Sequence, residues 1–388
     1  MGIETGVGRL GSLQDPWNAG ASRFVIWQSS WAMLQDAPWH GLGAGIYGLA
    51  YPPYRLATDK SAGHFAHNDL LQLAIELGWP GVMLCVMAVL ALFVMVWNRL
   101  GQSALSDRHM HEAVLLSAGL FAVFTHSFFT FNFYVYSTLL VVGILTARIC
   151  HLLLPSAVGV VLIDLRKYGA IIAAAPSALC LVPIFVLISG GLSQIATEKA
   201  IAELEQGQSR QVFEYLGIAK RFWPANDFNW YMEGEVLRLA LADDFQGSVE
   251  ERQRMFSQAE QSFIRAFELN PLRAMTPHRL GLLRSRSGSE KKGGAAEIAD
   301  LYQHALNIDP SYFPARLDLA ESYARRGNPE LAMETLEGGV RHHYQDLPEV
   351  IPLFERASRY RVLAGDLAGA AELDQRIQQI RAKWQGKG

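Results

Sequence analysis

The sequence is poor in cysteine and in charge, and it contains no basic tract. Its three cysteines, Cys85, Cys150 and Cys180, lie in or beside apolar runs without any Cys-x-x-Cys or Cys/His spacing. They therefore indicate neither a zinc site nor a disulfide framework. Only 18% of the 388 residues are charged and the formal net charge is -3, which argues against a nucleic-acid partner. Residues 1–6 also lack the basic and apolar regions of a signal peptide.

Long apolar runs occupy the middle of the chain, between residues 79 and 195. A helix needs about 20 mostly apolar residues to cross the hydrocarbon core of a membrane. The sequence therefore predicts an all-α fold with about four spans, at residues 79–97, 113–129, 133–149 and 169–193. The segment 152–163 is apolar but short and carries Pro155, so we interpret it as interfacial or as an extension of the third span.

Basic residues in the short connections predict the orientation of these spans. The first connection carries Arg99 and Arg108, and another carries Arg148, Arg166 and Lys167. Because Lys and Arg in short loops favour the cytoplasmic side, both connections are expected there. Four is an even number of spans, so residues 1–78 and 196–388 are expected on the opposite side. In the inner membrane of a Gram-negative cell that side is the periplasm.

Two polar residues, His126 and Asn132, flank the end of the second predicted span. Such residues within a membrane can form a proton path or contact a substrate. Alternatively they are an interfacial pair at a tight turn that water reaches, and we favour that interpretation.

The segment 1–78 contains an amphipathic helix followed by a glycine-rich loop. Ser22 is predicted to cap a helix that runs to about Gln35, with Arg23 in its first turn. Five apolar residues fall near one face of this helix: Phe24, Val25, Trp27, Trp31 and Leu34. The loop at residues 41–45 reads GLGAG and lacks the Lys and Ser/Thr of a P-loop, so a tight turn is the simpler interpretation.

A second helix is predicted to begin just after His67. Asn68 or Asp69 suits its N-cap, and Gly78 suits its C-cap before the chain continues beyond Pro80. Partial positive charge at a helix N-terminus lowers the pKa of an imidazole, and a neutral imidazole can act as a general base. The simpler alternative is a histidine that only hydrogen-bonds to the backbone beside a cap.

Cationic residues lie at three places around this helix start. Together with the helix N-terminus, three side chains could hold a diphosphate: Arg23, Arg55 and Lys60.

The order of these motifs resembles a known family. The pattern runs Arg23, Trp27, Ala32-Met33, Asp36-x-Pro38 and Gly41-x-Gly43-x-Gly45, then His67-Asn68, nine residues, and Gly78-Trp79-Pro80-Gly81. It is similar to the C-terminal half of the bacterial O-antigen ligase/polymerase family, which includes O-antigen ligases, O-antigen polymerases and protein O-oligosaccharyltransferases. The resemblance covers roughly residues 9–150, and the spacing from His67-Asn68 to the glycines is its most specific part.

This resemblance implies glycosyl transfer on the periplasmic face without a metal or other cofactor. The donor would be an undecaprenyl-diphosphate-linked glycan, and the acceptor would be lipid A-core, a protein hydroxyl or a growing glycan. By position in the motifs, His67 corresponds to the essential histidine of the family and Arg23 to its loop arginine, so both are expected to be catalytic. Arg55, His64 and Asn68 are expected to support substrate binding.

Members of this family carry many more N-terminal spans than this sequence does. We therefore expect the chain to be a fragment, a split gene product or the result of a misplaced start codon. The alternative to an enzyme is a non-catalytic scaffold, in which four spans anchor a periplasmic repeat array within an envelope polysaccharide machine.

The segment 196–388 has the periodicity of helix pairs. Spacings typical of a tetratricopeptide repeat occur three times, followed by a degenerate fourth: Ala259, Phe263, Ala266 and Pro271; Ile298, Tyr302, Ala305 and Pro310; Ala320, Tyr323, Gly327, Ala332 and Leu336; Gly365, Asp366 and Ala370. The run from Lys291 to Gly294 is interpreted as a loop insertion. Such arrays bury their faces by stacking on one another and usually bind proteins, so protein partners are expected for this domain.

Overall fold

The computed structural model describes residues 16–59, 61, 63–100, 107–153, 165–207, 209–241, 245, 247–286, 294–342 and 347–385. Within these ranges every regular element is a helix and no strand occurs. The predicted all-α class is therefore confirmed. The chain divides into two compact units, one formed by residues 1–160 and the other by most of residues 161–388.

Among its described residues, the first unit contains five α-helices and two short 3-10 helices. The α-helices are α1 (Pro16–Asp36), α2 (Tyr47–Ala50), α3 (Asp69–Leu100), α4 (Asp107–His126) and α5 (Tyr136–Leu153), and the 3-10 helices are Pro52–Tyr54 and Asn132–Tyr134.

The first helix begins earlier than predicted. It starts at Pro16, where a proline loses no helical hydrogen bond, so the predicted cap residue Ser22 lies inside the helix. Its buried face consists of Ile26, Ser29, Ser30 and Met33, and two of the five apolar residues predicted near one face, Phe24 and Trp31, are exposed. The inward face is therefore a mixed one with two serines.

Helices α3, α4 and α5 pack together. Their shared core includes Val96 of α3, Leu120 of α4 and Ile149 of α5. At one end, the guanidinium of Arg148 donates two hydrogen bonds to the carboxylate of Glu112, at 2.7 and 3.0 Å. This pair joins the beginning of α4 to the end of α5, as expected for antiparallel neighbours.

Three described helices are long and apolar enough to cross a membrane: Asp69–Asn98, Tyr136–Leu153 and Ile184–Glu205. They overlap the predicted first, third and fourth spans, the last of these over residues 184–193. The predicted second span lies on α4, which also carries Arg108 and Glu112 in its first turns. The outer faces of α3, α4 and α5 carry many exposed large apolar side chains, among them Leu84, Leu115 and Leu140. Such a surface suits lipid rather than water. Residues 154–164, which include most of the predicted interfacial segment, lie outside the described residues.

The second unit contains the helices α6 (Leu165–Glu205), α7 (Ser209–Phe222), α8 (Asp227–Ala240), α9 (Val249–Leu269), α10 (Met275–Arg286), α11 (Gly294–Ile308), α12 (Phe313–Arg325), α13 (Pro329–His342), α14 (Ile351–Leu363) and α15 (Leu367–Gln385), with a 3-10 helix at Pro348–Val350.

The residues with the repeat spacing form the core of this unit. The side chains of Phe263, Tyr302 and Leu336 are almost fully buried, as are the small residues that accompany them: Ala259, Ala266, Ala305, Ala320, Ala332 and Ala370. The helical-repeat architecture is therefore confirmed. Residues 291–293 of the predicted loop insertion lie outside the described residues, and Gly294 is the first residue of α11.

Helix α6 joins the apolar run to the repeats without a break. Its last turns pack on α7 and α8, where the Ser193 hydroxyl donates to the Ala219 carbonyl at 3.0 Å. The Thr197 hydroxyl lies 2.7 Å from Oδ1 of Asn229, and the Asn229 amide donates to Ser193. These buried polar contacts make the end of α6 part of the repeat core.

Candidate functional site

His67 lies two residues before the start of α3, and the structure shows how that start is capped. Oδ1 of Asn68 accepts a hydrogen bond from the Leu71 backbone at 3.0 Å, which is the geometry of an N-cap. The backbone N–H of Asp69 donates to the Ser127 carbonyl at 2.8 Å, and its carboxylate accepts from the Phe133 backbone at 3.2 Å. The helix start is thus fixed to the turn between α4 and α5.

The backbone of His67 has a φ of 53°, the only positive φ among the described non-glycine residues. A left-handed conformation costs a residue with a side chain about 1–3 kcal/mol and persists where neighbouring contacts impose it. The preceding residue, Ala66, provides those contacts. The Ala66 N–H donates to Oε1 of Gln72 at 3.0 Å, and its carbonyl accepts from the Trp27 indole at 2.9 Å.

Two neighbours define the surroundings of the His67 ring. The ring meets Phe131 edge-on, with centroids 5.2 Å apart, and Phe131 in turn stacks on Phe65 at 4.5 Å. Burial lowers the pKa of His67 below its ordinary value, and the positive charge of Arg23 lowers the pKa further. Both effects favour a neutral imidazole. The charge of Arg23, the other residue predicted to be catalytic, thus acts on the imidazole of His67.

Glu76 organises this region, although sequence reasoning missed it. Its buried carboxylate accepts hydrogen bonds from the Gly45 backbone at 3.0 Å, the Tyr47 backbone at 3.3 Å, the Gln72 amide at 3.1 Å and the Tyr134 hydroxyl at 2.9 Å. This carboxylate thereby orients the side-chain amide of Gln72, and the oxygen of that amide accepts the hydrogen bond from the Ala66 N–H. The signal was present, because polar residues four apart in an apolar helix lie on one face.

The glycine-rich loop is a tight turn that packs against a kink in α3. Gly78 breaks the helix with a φ of 65°, and Pro80 has no N–H to offer to the Glu76 carbonyl. The loop replaces the lost bonds: Gly43 donates to the Glu76 carbonyl at 2.9 Å, and Trp79 donates to the Trp39 carbonyl at 3.0 Å. The interpretation of this loop as a tight turn is therefore confirmed.

Arg55 lies inside the loop that follows α2. Its guanidinium contacts the Asp59 carboxylate at 3.8 Å, lies over the Tyr51 ring and donates to the Ser61 carbonyl. These contacts stabilise the loop. His64 is exposed, three residues before the catalytic candidate. Lys60 lies outside the described residues.

His126 and Asn132 lie at the turn between α4 and α5, as expected. The Asn132 amide is 3.3 Å from Nδ1 of His126 and donates to the Val123 carbonyl at 3.3 Å. His126 is exposed.

A cavity of about 830 Å³ begins beside the capped end of α3 and extends along that helix. Its polar end is formed by Asp69, Glu76 and Tyr134, and its long walls are apolar, including Leu84 and Leu92. Its mostly apolar lining suits a hydrocarbon chain.

The comparisons with known proteins agree with these features. Residues 2–86 match the family described as O-antigen ligase. This part of the chain resembles an O-antigen ligase. Residues 291–353 match the tetratricopeptide repeat family, so the predicted resemblance and the order of its two parts are confirmed. A comparison with curated proteins gives no match.

Solved helical-repeat proteins are similar to about half of the chain. MamA from Desulfovibrio magneticus RS-1 is 16% identical, over 50% of this chain and 97% of its own, with a TM-score of 0.34. PilW, a type IV pilus biogenesis factor, is 23% identical over 49% and 78%, with a TM-score of 0.36. YrrB, a tetratricopeptide protein with an unusual peptide-binding site, is 13% identical over 48% and 85%, with a TM-score of 0.32. At these values the likenesses carry no information about function.

Proposed function

We propose that this protein is a membrane glycosyltransferase of the O-antigen ligase/polymerase type. The observation that carries the proposal is His67, held in a left-handed conformation at the start of α3 beside Arg23. It lies within the segment that matches the O-antigen ligase family. A strained, half-buried and preferentially neutral histidine is suited to accept a proton during catalysis.

In the proposed reaction, the imidazole of His67 removes the proton of an acceptor hydroxyl. The acceptor oxygen then bonds to the anomeric carbon of the donor glycan, and the bond from that carbon to undecaprenyl diphosphate breaks. Negative charge grows on the departing diphosphate, and the guanidinium of Arg23 stabilises it. The apolar cavity along α3 offers a place for the prenyl chain. The acceptor is lipid A-core, a protein or a growing glycan.

Substitution of His67 and Arg23 in the full-length protein tests this proposal. Membranes that contain each variant are supplied with the carrier-linked glycan, and glycan on the acceptor is measured. General-base catalysis contributes about 10²–10⁴-fold, so His67→Ala is expected to lose most turnover. Arg23→Lys keeps the charge but not the planar donor geometry, so transfer stays impaired.

The control for these variants is His151→Ala, because His151 is exposed at the other end of α5. It should transfer glycan normally. Normal transfer by a stably inserted His67→Ala protein would remove the catalytic role. That result would favour the second candidate, a membrane-anchored tetratricopeptide scaffold, which the well-packed repeat unit supports.

The proposed donor requires the site and the repeat domain to face the periplasm from the inner membrane. The positions of Arg99, Arg108, Arg166 and Lys167 support that orientation. A reporter fused after Arg108 should give a cytoplasmic signal, and one fused after Gly388 a periplasmic signal. The opposite signal at either position contradicts the orientation.

A further inference from the structure

The outward side of α1 carries an uncharged stripe with two large aromatic side chains. Phe24, Gln28, Trp31 and Gln35 follow one another at intervals of four, three and four residues, which places them on one side of a helix. Phe24 is 67% exposed and Trp31 is 56% exposed. The outward face of a helix that meets water is normally charged, so this stripe is suited to a different surrounding.

The exposed aromatics do not result from an unfilled core beneath the helix. The opposite face of α1 is closed by Ile26, Ser30 and Met33, all almost fully buried. The Ser30 hydroxyl donates to the Ile26 carbonyl at 2.7 Å and lies 2.6 Å from the Tyr47 hydroxyl. Since this face is packed and its polar groups are satisfied, α1 cannot turn its aromatic stripe inward.

Both ends of the stripe continue into the ends of the membrane-crossing helices. At one end Phe24 contacts Trp27, and Trp27 contacts Phe129 just beyond α4. At the other end, the carbonyl of Trp39 accepts a hydrogen bond from the backbone of Trp79. Trp39 is 69% and Trp79 is 55% exposed, and Trp79 opens the apolar run of α3.

We propose that α1 lies parallel to the membrane surface, with its aromatic stripe in the interfacial layer of the lipid bilayer. Trp rings prefer this layer, and a helix with an apolar stripe lies in its plane. The two ends of the stripe connect through Trp27 to Phe129, just beyond α4, and through Trp39 to Trp79, where the apolar run of α3 begins. The binding partner of this surface is therefore lipid, at the border between headgroups and acyl chains. This inference concerns membrane association and does not depend on the proposed transfer reaction.

Spin labels on the full-length protein in lipid vesicles test the proposal. Cysteine replaces Phe24 or Trp31 in a protein whose native cysteines are changed to alanine, and collision with oxygen and with a water-soluble nickel complex is measured. The matched control is Val249→Cys, at an 80% exposed position at the start of α9. Labels at positions 24 and 31 should meet oxygen more often, and the nickel complex several-fold less often, than the control label.

Two outcomes would overturn the proposal. Equal access of the nickel complex to all three labels would show that the stripe faces water. Dipolar broadening between labels at position 24 or 31 would show instead that the stripe contacts a second copy of the chain. Circular dichroism of each labelled protein checks that the helices are retained.

Discussion

At the scale of single residues, the conformation of His67 is stabilised through both backbone groups of the preceding residue, Ala66. The Trp27 indole donates a hydrogen bond to the Ala66 carbonyl, and the Ala66 N–H donates to the side-chain oxygen of Gln72. Gln72 is itself oriented by the Glu76 carboxylate, which also accepts from Tyr134. The strain of the left-handed backbone is therefore offset by contacts from α1 and α3.

The lowered pKa of His67 leads to a prediction about pH. If the neutral imidazole is the base, transfer should rise with pH through a pKa below the ordinary histidine value. Arg23→Gln removes a positive charge that disfavours the imidazolium, so the pKa of His67 rises and the acid limb moves to higher pH.

The measurement is the pH dependence of the residual transfer rate, with Arg210→Gln on the exposed surface of α7 as the control. The control limb should not move. An acid limb that stays in place, or moves to lower pH, in Arg23→Gln contradicts an electrostatic link between Arg23 and His67.

Features that depend on residues close in sequence could be predicted for this site, whereas features that depend on contacts between distant residues could not. The cap at Asn68 and the break at Gly78 follow from residue type and near neighbours in sequence. The role of Glu76 depends on donors up to 58 residues away, such as the hydroxyl of Tyr134. Arg55 looked like a phosphate ligand by charge alone, yet Asp59, four residues later, lies within 3.8 Å of its guanidinium.

At the scale of elements, the kink of α3 and the glycine-rich loop form one structural unit. The loop passes so close to the kink that a Cβ on Gly78 would lie 2.2 Å from the Trp39 carbonyl oxygen. A Cβ on Gly41 would lie 2.4 Å from the Glu76 carbonyl oxygen. The glycines are required by backbone proximity, which explains why this loop needs neither the lysine nor the hydroxyl of a phosphate loop.

Gly78→Ala is therefore expected to destabilise the protein by more than about 1 kcal/mol, because alanine at a positive φ is strained and its methyl group overlaps the loop. Gly119→Ala is the matched control, since nothing lies within 4 Å of a Cβ at that helical position. Thermal denaturation in detergent should show a lower Tm for the first variant only. Equal Tm values would show that the loop does not pack on the kink as described.

The face of α1 could not be predicted from hydrophobicity alone. Helical periodicity groups Phe24 and Trp31 with the other apolar residues of α1, whereas the buried face includes two serines. The Ser30 hydroxyl donates a hydrogen bond to a carbonyl of its own helix and lies beside the Tyr47 hydroxyl. Burying Ser30 therefore costs little free energy. Exposed aromatic side chains stabilise a helix that lies against lipid. For such a helix, the usual rule that apolar residues face the core therefore does not identify the buried side.

At the scale of the whole molecule, the apolar run and the repeats share a helix. The repeat pattern in the sequence begins well after α6, so the expected domain boundary at residue 196 came from the change in composition. The packing of Ser193 and Ala196 on the repeat core gives the last turns of α6 a second role. These turns pack on the outside of the first helix pair of the array. Repeat proteins need a terminal helix at this position to cover the core.

This packing predicts how much of α6 the repeat unit needs in order to fold. A segment of residues 189–388 should be helical and more stable than a segment of residues 197–388, which lacks the hydrogen bonds of Ser193. Each buried hydrogen bond contributes about 1 kcal/mol, which corresponds to about 2–4 °C in Tm for a domain of this size.

Ser193→Ala in the longer segment should reproduce part of the loss. Thr335→Ala should change little, because that exposed hydroxyl bonds to the Leu331 carbonyl of its own helix. Thermal melts followed by circular dichroism measure all four proteins, and equal Tm values for the two segments would place α6 outside the repeat core.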